Sequence, residues 1–382
     1  MKDIVSITKC SEYEYNAVRA SIEQNIRHLG GLGGYISKGE RVLLKINMLM
    51  KKAPEEASTT HPVFVRALSD ILLDYGCKVV IGDSPGGPFG EKYLRGIYKA
   101  TGMQEIADTS DAVLNTNYNG VEKENPSALL LKRLLVADMI NDVDKIISVS
   151  KMKTHGMMAF TGAVKSMFGI VPGLTKVEHH MNMPDHDTFA DALIDVCLAA
   201  GPILSFMDGI VAMEGAGPSA GVPRQMGLCF ASNSPFALDM AAVSVIGLPF
   251  AKVPTIRRAQ ARGLSPASLA EIEFYGEAWQ SVTVKDFDIP ATHLIFPFFS
   301  NSTVISAIIG KLLHPRPVFI KKSCIGCRDC EKCCPAKVIT MSDGLPQVRL
   351  DKCIRCFCCQ ELCPKKAVKI HRPALLRLLT RL

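Results

Sequence analysis

The chain has 382 residues, 48% hydrophobic and 21% charged, with 14 cysteines and a formal net charge of +7. Such a length and apolar fraction point to two or three domains with sizeable cores, which excludes a disordered chain and a disulfide-stapled mini-protein. The 44 basic and 37 acidic residues form no long block of like charge, so nucleic-acid binding is not expected.

Met1 to Ile7 reads as a start followed at once by an alternating strand, without the apolar region of a signal peptide. The most apolar later stretches, Phe236 to Val253 and Ala291 to Leu313, are broken by Asp239, Pro249, Pro297 and the Ser300 to Thr303 run. Neither reaches the roughly 18 uninterrupted apolar residues of a membrane span. The expectation is a cytoplasmic protein without a membrane span, in a reducing compartment where clustered cysteines mean metal sooner than disulfide.

In chain order, Ile4 to Thr8 predicts a strand before a helix over Tyr15 to Leu29. Arg41 to Met48 predicts a strand before Pro62 to Tyr75, and Lys78 to Gly82 one before Tyr93 to Thr101. Lys145 to Val149 and Ile203 to Met207 are further strands, and Gly227 to Ala231 leads into a helix over Phe236 to Ile246. Strand and helix alternating in this way predict an α/β domain with a mostly parallel sheet over residues 1–315. In such sheets ligands bind beyond the carboxyl ends of strands. The loops expected there are Lys45 to Asn47, Gly82 to Gly87, Ser148 to His155 and Met207 to Gly209. Leu312 to Pro317 reads as a linker into a small α+β, ferredoxin-like module over 316–372, and 373–382 as a C-terminal tail in which Leu375 to Leu382 forms a short helix packed on the module.

Ten of the fourteen cysteines lie between Cys324 and Cys363. Cys324-x2-Cys327-x2-Cys330-x3-Cys334-Pro335 recurs twenty-nine residues later as Cys353-x2-Cys356-x2-Cys359-x3-Cys363-Pro364. Structural zinc also uses thiolates at two-residue spacing, but needs neither a third close cysteine nor the Cys-Pro end. The run is the bacterial two-cluster pattern, in which the fourth cysteine ligates the other cluster. Cluster one then takes Cys324, Cys327, Cys330 and Cys363, and cluster two Cys353, Cys356, Cys359 and Cys334. Cys333 and Cys358, whose repeat partners are Leu362 and Asp329, read as bystander thiols. Val338 to Met341 and Gln347 to Leu350 flank Ser342-Asp343-Gly344 as a hairpin, with Val368 to Ile370 completing a small sheet. The module resembles two-[4Fe–4S] ferredoxins, and that resemblance implies one-electron transfer. From Lys311 onward sixteen Lys and Arg face five Asp and Glu, a balance of +11 that leaves about −4 for the first 310 residues. A basic module offsets thiolate charge or presents a docking face to an acidic redox partner protein.

In the large domain, four of the nine histidines (His155, His179, His180, His186) fall within thirty-two residues, among Lys151, Lys153 and Lys165. A basic loop set of this kind suits an anion, with histidines as acid–base groups or metal ligands; equally, such residues cap helices and line a solvated rim. The candidates for substrate or anion binding are Lys45, Asn47, Asp83, Ser84, Lys151, Lys153, Asp208 and Glu214. The catalytic candidates are His155 and Lys165, and an extra metal would use His179 and His180.

Together with His61-Pro62 and the Asp208 to Pro218 segment, these motifs over roughly residues 3–265 resemble the domain of unknown function 362 family, often fused to a C-terminal ferredoxin module. His155, Lys165, Pro172-Gly173 and His179-His180 are also similar to a segment of the nickel-pincer lactate racemase family. That similarity implies a proton-transfer group at His155, a cofactor anchor at Lys165 and a metal ligand at His179 or His180. The histidine that family places after an earlier strand has no counterpart in Gly82-Asp83-Ser84-Pro85. The reading is an iron–sulfur oxidoreductase relaying electrons between the module and a small-molecule site in the α/β domain. The alternatives are a non-enzymatic electron carrier or adaptor, and a non-redox isomerase or transferase.

Overall fold

The computed structural model describes residues 2–173, 175–183, 185–290 and 315–373. The expected Leu375 to Leu382 helix, the Ala291 to Leu313 stretch and the first half of the linker lie outside the described residues.

Strand β1 (Ile4–Lys9) leads into helix α1 (Tyr15–His28), β2 (Arg41–Ile46) into α2 (Pro62–Tyr75), and β3 (Lys78–Gly82) into α3 (Glu91–Ala100) and α4 (Met103–Asp108). After β4 (Val113–Leu114), a hairpin of β5 (Gly120–Glu124) and β6 (Arg133–Ala137) precedes the long β7 (Lys145–His155), short β8 (Ala159–Thr161) and α5 (Ala163–Ser166). Then come α6 (Thr175–Asn182), α7 (His186–Ala200), β9 (Leu204–Glu214), β10 (Val222–Ser232), α8 (Pro235–Val245), α9 (Pro254–Ala261) and β11 (Glu273–Gly276). The sheet order is β11-β1-β10-β9-β7-β2-β3-β4, with β8 against β7. Pairs β1/β11, β2/β3, β2/β7, β3/β4 and β7/β9 are parallel, and β10 runs antiparallel to both neighbours. The domain is therefore α/β with a mostly parallel sheet.

Helix packing follows from alternation along the strands. Ile147 and Val149 of β7 join the core under α1 and α2, with Ile22, Leu68 and Leu72, while Ile146 faces Phe189 and Leu193 of α7. Further along β7, Met152 packs with Met207, Phe230 and Leu238 beside α8. The start of α2 is set by His61, whose Nδ1 accepts from the Val63 N–H, with Pro62 at the first helical position.

Two segments expected to be loops are strand. Ser150 to His155 continues β7, because β9 pairs with Ser150 and Lys151 while β8 folds back and pairs Lys153 with Thr161 and His155 with Ala159. Asp208 to Glu214 continues β9, because β10 supplies an antiparallel partner as far as Val222. The C-terminal module also departs from the expected single small sheet. Strands β13 (Ile339–Ser342) and β14 (Leu345–Val348) form the hairpin, whereas β15 (Val368–His371) pairs with β12 (Arg316–Phe319), part of the segment read as linker. No helix among the described residues is long and apolar enough to cross a membrane.

Candidate functional site between the two domains

Period-two geometry puts Lys151, Lys153 and His155 on one face of β7, and each meets a different partner. Lys151 Nζ reaches Asp208 Oδ2 at 2.8 Å and Tyr13 Oη at 2.7 Å. Lys153 Nζ donates to Asn47 Oδ1 at 2.6 Å and to the Ser58 carbonyl at 2.7 Å, with no carboxylate in contact. His155 Nδ1 accepts from the Met157 and Met158 N–H groups, both at 3.1 Å, which leaves the ring proton of the neutral form on Nε2. That Nε2 lies 2.9 Å from Glu361 Oε1 of the C-terminal module, although outside hydrogen-bond geometry. Burial, reinforced by Lys165, holds His155 down at about 4.

Burial, then the neighbouring Lys165 and Lys151 charges, bring the Lys153 ammonium from the ordinary 10.5 down to about 7. Between those values the unfolded lysine holds a proton that the folded one has lost, so stability rises with pH through that window and is flat below it. Relative to Lys153→Met, the wild-type chain is expected to gain about 2 kcal/mol of unfolding free energy from pH 7 to pH 9. Denaturant titrations at the two pH values check this. A pH-independent difference would mean that Lys153 keeps its proton.

Lys45 ties β2 to the segment after α5. Its Nζ lies 2.8 Å from Asp83 Oδ1, 2.8 Å from the Ser166 carbonyl and 2.7 Å from the Ile46 carbonyl, while Asp83 Oδ2 accepts from the Met48 N–H at 2.8 Å. Gly169 lies so close that a Cβ there would collide with both Asp83 and Lys45. Asp239 accepts from the Ala163 and Val164 N–H groups, and a Cβ at Gly162 would strike its carboxylate. These contacts fix the path from Gly162 to Gly169, and with it Lys165.

The module repeats in conformation as well as in sequence. Gly326, Arg328 and Lys337 have positive φ, and so do Arg355, Phe357 and Lys366, each twenty-nine residues later. Turns of this kind aim backbone N–H groups inward, as a cradle for anionic thiolate clusters requires. Cys334 Sγ accepts from the Val338 N–H at 3.4 Å, and Cys363 Sγ from the Ala367 N–H at 3.2 Å. None of the fourteen cysteines is in a disulfide. Burial pushes the Cys330 thiol up to about 11, with Cys327, Cys363 and Cys324 adding to it; burial likewise raises Cys353, with Cys356 and Cys334 adding. In each group one thiol belongs to the other repeat, so the two cysteine runs interleave and their thiols fit two clusters.

The second repeat faces the α/β domain. Gln360 donates to the Ala216 carbonyl at 2.9 Å, Lys366 lies 3.2 Å from Glu56, and Glu361 meets His155. Between the domains is a cavity of about 90 Å³. The short helix Cys358–Glu361, with Leu362, forms one wall; Lys165, Phe168 and Gly169 form the facing wall; Lys176, Val177 and His180 of α6 close the side. Glu361 is held below the usual carboxylate range, where burial works against it and His155, Lys165 and His180 work for it.

Of the candidates from sequence, Asn47, Asp83, Ser84, Lys165 and His180 line this cavity. Lys45 and Lys153 stand behind it, bonded to Asp83 and Asn47. His155 is screened from it by Glu361. Lys151 and Asp208 form a separate buried network with Tyr13, and Glu214 sits 3.9 Å from Arg224 and accepts from the Asp288 N–H. His179 and His180 diverge: His180 stacks on Phe189 at 4.3 Å and lines the cavity, while His179 lies edge-on to Phe168. Among the described residues no three His, Cys, Asp or Glu side chains close on a single ion; thiols sharing a cubane stand further apart, each on its own iron. Residues not singled out from sequence are Lys176, Phe168, Glu361 and Leu362, and Cys358 was read only as a bystander. The signal for three of them was the place where the repeat breaks, since Cys358, Glu361 and Leu362 stand opposite Asp329, Lys332 and Cys333.

Comparison with known proteins agrees with this architecture. A 4Fe-4S dicluster domain matches residues 316–364, so the chain carries an iron–sulfur domain of the electron-transfer type. A thylakoid-associated protein of Synechocystis sp. is 33% identical over 287 residues, covering 75% of this chain and 87% of that protein. Among solved structures, the lactate racemase apoprotein from Thermoanaerobacterium thermosaccharolyticum is similar with a TM-score of 0.38 and 13% identity over 60% of this chain and 53% of that one. A protein from Thermotoga maritima gives a TM-score of 0.33 and 12% identity over 56% and 55%. This chain thus spans about half the length of the solved structures it matches. With residues 42–244 matching the family described as domain of unknown function (DUF362), the chain belongs to that family and joins its domain to a C-terminal 4Fe–4S dicluster domain.

Proposed function

We propose that the protein is an iron–sulfur oxidoreductase that exchanges electrons with a small molecule held in the cavity between its two domains. Two [4Fe–4S] clusters would be held by Cys324, Cys327, Cys330 and Cys363, and by Cys353, Cys356, Cys359 and Cys334, and when bound they supply one-electron transfer. The observation that carries the reading is that Cys358 and Glu361, which line the cavity, belong to the same short helix as Cys359. A ligand in the cavity is therefore one layer of side chains from a proposed cluster thiolate. Phe168, Val177 and Leu362 give that space apolar walls, and Lys165 and Lys176 bring two amino groups to it, both held below the usual lysine range by burial.

On the first repeat, Cys327 is exposed and Ile325 is 61% exposed. Exposed Lys321, Lys322 and Arg328 surround them. This basic rim suits an acidic redox partner protein, whose electron delivery would slow as salt screens the attraction.

Filling the cavity tests the reading. Val177→Trp is expected to leave the iron content and dithionite reduction intact. Reoxidation of the reduced protein by a small-molecule fraction of cell extract, followed as absorbance recovery near 400 nm, should fall at least about tenfold relative to wild type, as expected when a reactant can no longer be positioned. Equal rates in the two proteins would mean that electrons leave through the exposed face alone, as in a plain carrier.

A further inference from the structure

We infer that the interdomain cavity is a receptor for a small organic monocarboxylate, with Lys165 taking the carboxylate and Phe168, Val177 and Leu362 taking the carbon chain. The inference names the substrate class of the proposed site and rests on that reading of the cavity.

Four lysines stand in or directly behind this region, and three of them are engaged. Lys45 has Asp83 at 2.8 Å. Lys153 is closed by Asn47 and Ser58, and Lys176 by the Ser84 carbonyl at 2.7 Å together with the Val171 carbonyl. Lys165 makes no hydrogen bond or ion pair among the described residues, although it lines the cavity. Burial lowers the Lys165 amino group from the usual lysine range, and the charge of Glu361, whose Oε1 lies 2.9 Å from His155 Nε2, works the other way. A second polar group awaits a partner there, because His180 is 6% exposed, lines the cavity and has an unpartnered Nδ1. A half-buried amino group and a buried imidazole nitrogen, neither with a partner among the described residues, are polar groups that an anion would satisfy.

The remaining walls narrow the choice of anion. Asp83 and Glu361 also face the cavity, and they would repel the second charge of a phosphate dianion, whereas a monocarboxylate brings only the charge that Lys165 matches. A neutral molecule leaves Lys165 as it is. The cavity of about 90 Å³ admits roughly six to nine non-hydrogen atoms at about 10–15 Å³ for each water-sized site. That corresponds to a carboxylate on a short apolar chain, lying against Phe168 and Leu362.

The test is anaerobic calorimetry on the full, cluster-loaded, oxidised protein. The probes are straight-chain carboxylates of four to seven carbons, the neutral amide of each, and inorganic phosphate. At least one acid is expected to bind, its amide and phosphate about ten- to a hundredfold more weakly, and Lys165→Met to lose about the same factor for the acid, as expected for a charge-assisted hydrogen bond. Lys165→Arg should retain most of the affinity, and Val177→Trp should abolish binding with the charge intact. Acids binding no better than their amides, no acid binding, or Lys165→Met shifting only the reduction potential would each overturn the inference; the last would make Lys165 a counter-charge to the thiolates. Binding to oxidised protein requires no electron, so acid binding without reoxidation would refute the redox reading while leaving this one standing.

Discussion

A chain carrying Cys363→Ala is expected to keep about half of its iron and sulfide, falling from about eight atoms of each to about four. The informative results come from pairs. Adding Cys324→Ala should change nothing further, because both residues would serve the same cluster, whereas adding Cys353→Ala should take iron close to zero. Uncrossed ligation predicts the reverse. We propose the crossed outcome, in which Cys330 shares its cluster with Cys327, Cys363 and Cys324. Cys333→Ser and Cys358→Ser should leave both counts unchanged. Iron and sulfide assays on anaerobically purified protein, with the absorbance near 400 nm, decide the matter. Zinc without sulfide would sink the cluster assignment altogether.

Asp208→Ala is expected to cost about 3–5 kcal/mol of stability, the range for stranding one member of a buried ion pair. Asp208 is fully buried and accepts from Lys151 Nζ at 2.8 Å, Tyr13 Oη at 2.8 Å and the His61 N–H at 3.0 Å. The network also sets the entry to α2, because Tyr13 stacks on His61 with ring centroids 3.5 Å apart. Removing the carboxylate leaves the Lys151 ammonium with the Tyr13 hydroxyl alone. The double substitution Lys151→Met with Asp208→Leu removes both charges and should recover most of the loss. Denaturant midpoints of the three variants measure this coupling. A single alanine costing less than about 1 kcal/mol would show that the buried pair does not hold this end of the sheet.

Much of the fold was legible because its elements follow local rules. Pro62 to Tyr75 starts at a proline and ends at Gly76, whose φ of 101° suits a helix stop, and Lys78 to Gly82 is apolar after its first residue. What was not legible depends on partners distant in sequence. Ser150 to His155 is polar enough to read as a loop, and only its pairing with β9 and β8 makes it a strand. Val368 to Ile370 fits a third strand for the hairpin, but its partner is Arg316–Phe319, about fifty residues earlier in the chain. Among the candidate residues, Asn47, Asp83, Ser84, Lys165 and His180 share one cavity because strand ends and α6 converge there. Asp208, in the same run of motifs, turned to a different network. Glu361 was invisible because cysteine spacing drew attention to what the two repeats share. The wall of the cavity is built from what they do not share.

The alternation along β7 carries a constraint on sequence change. Lys153 lies between Met152, packed in the apolar core beside α8, and Thr154, which donates to the Gly215 carbonyl. Deleting one residue between Val149 and Met152 would exchange the two faces, driving lysines into that core and a methionine towards Asn47. The strand that aims Lys153 and His155 therefore admits substitutions but not insertions or deletions.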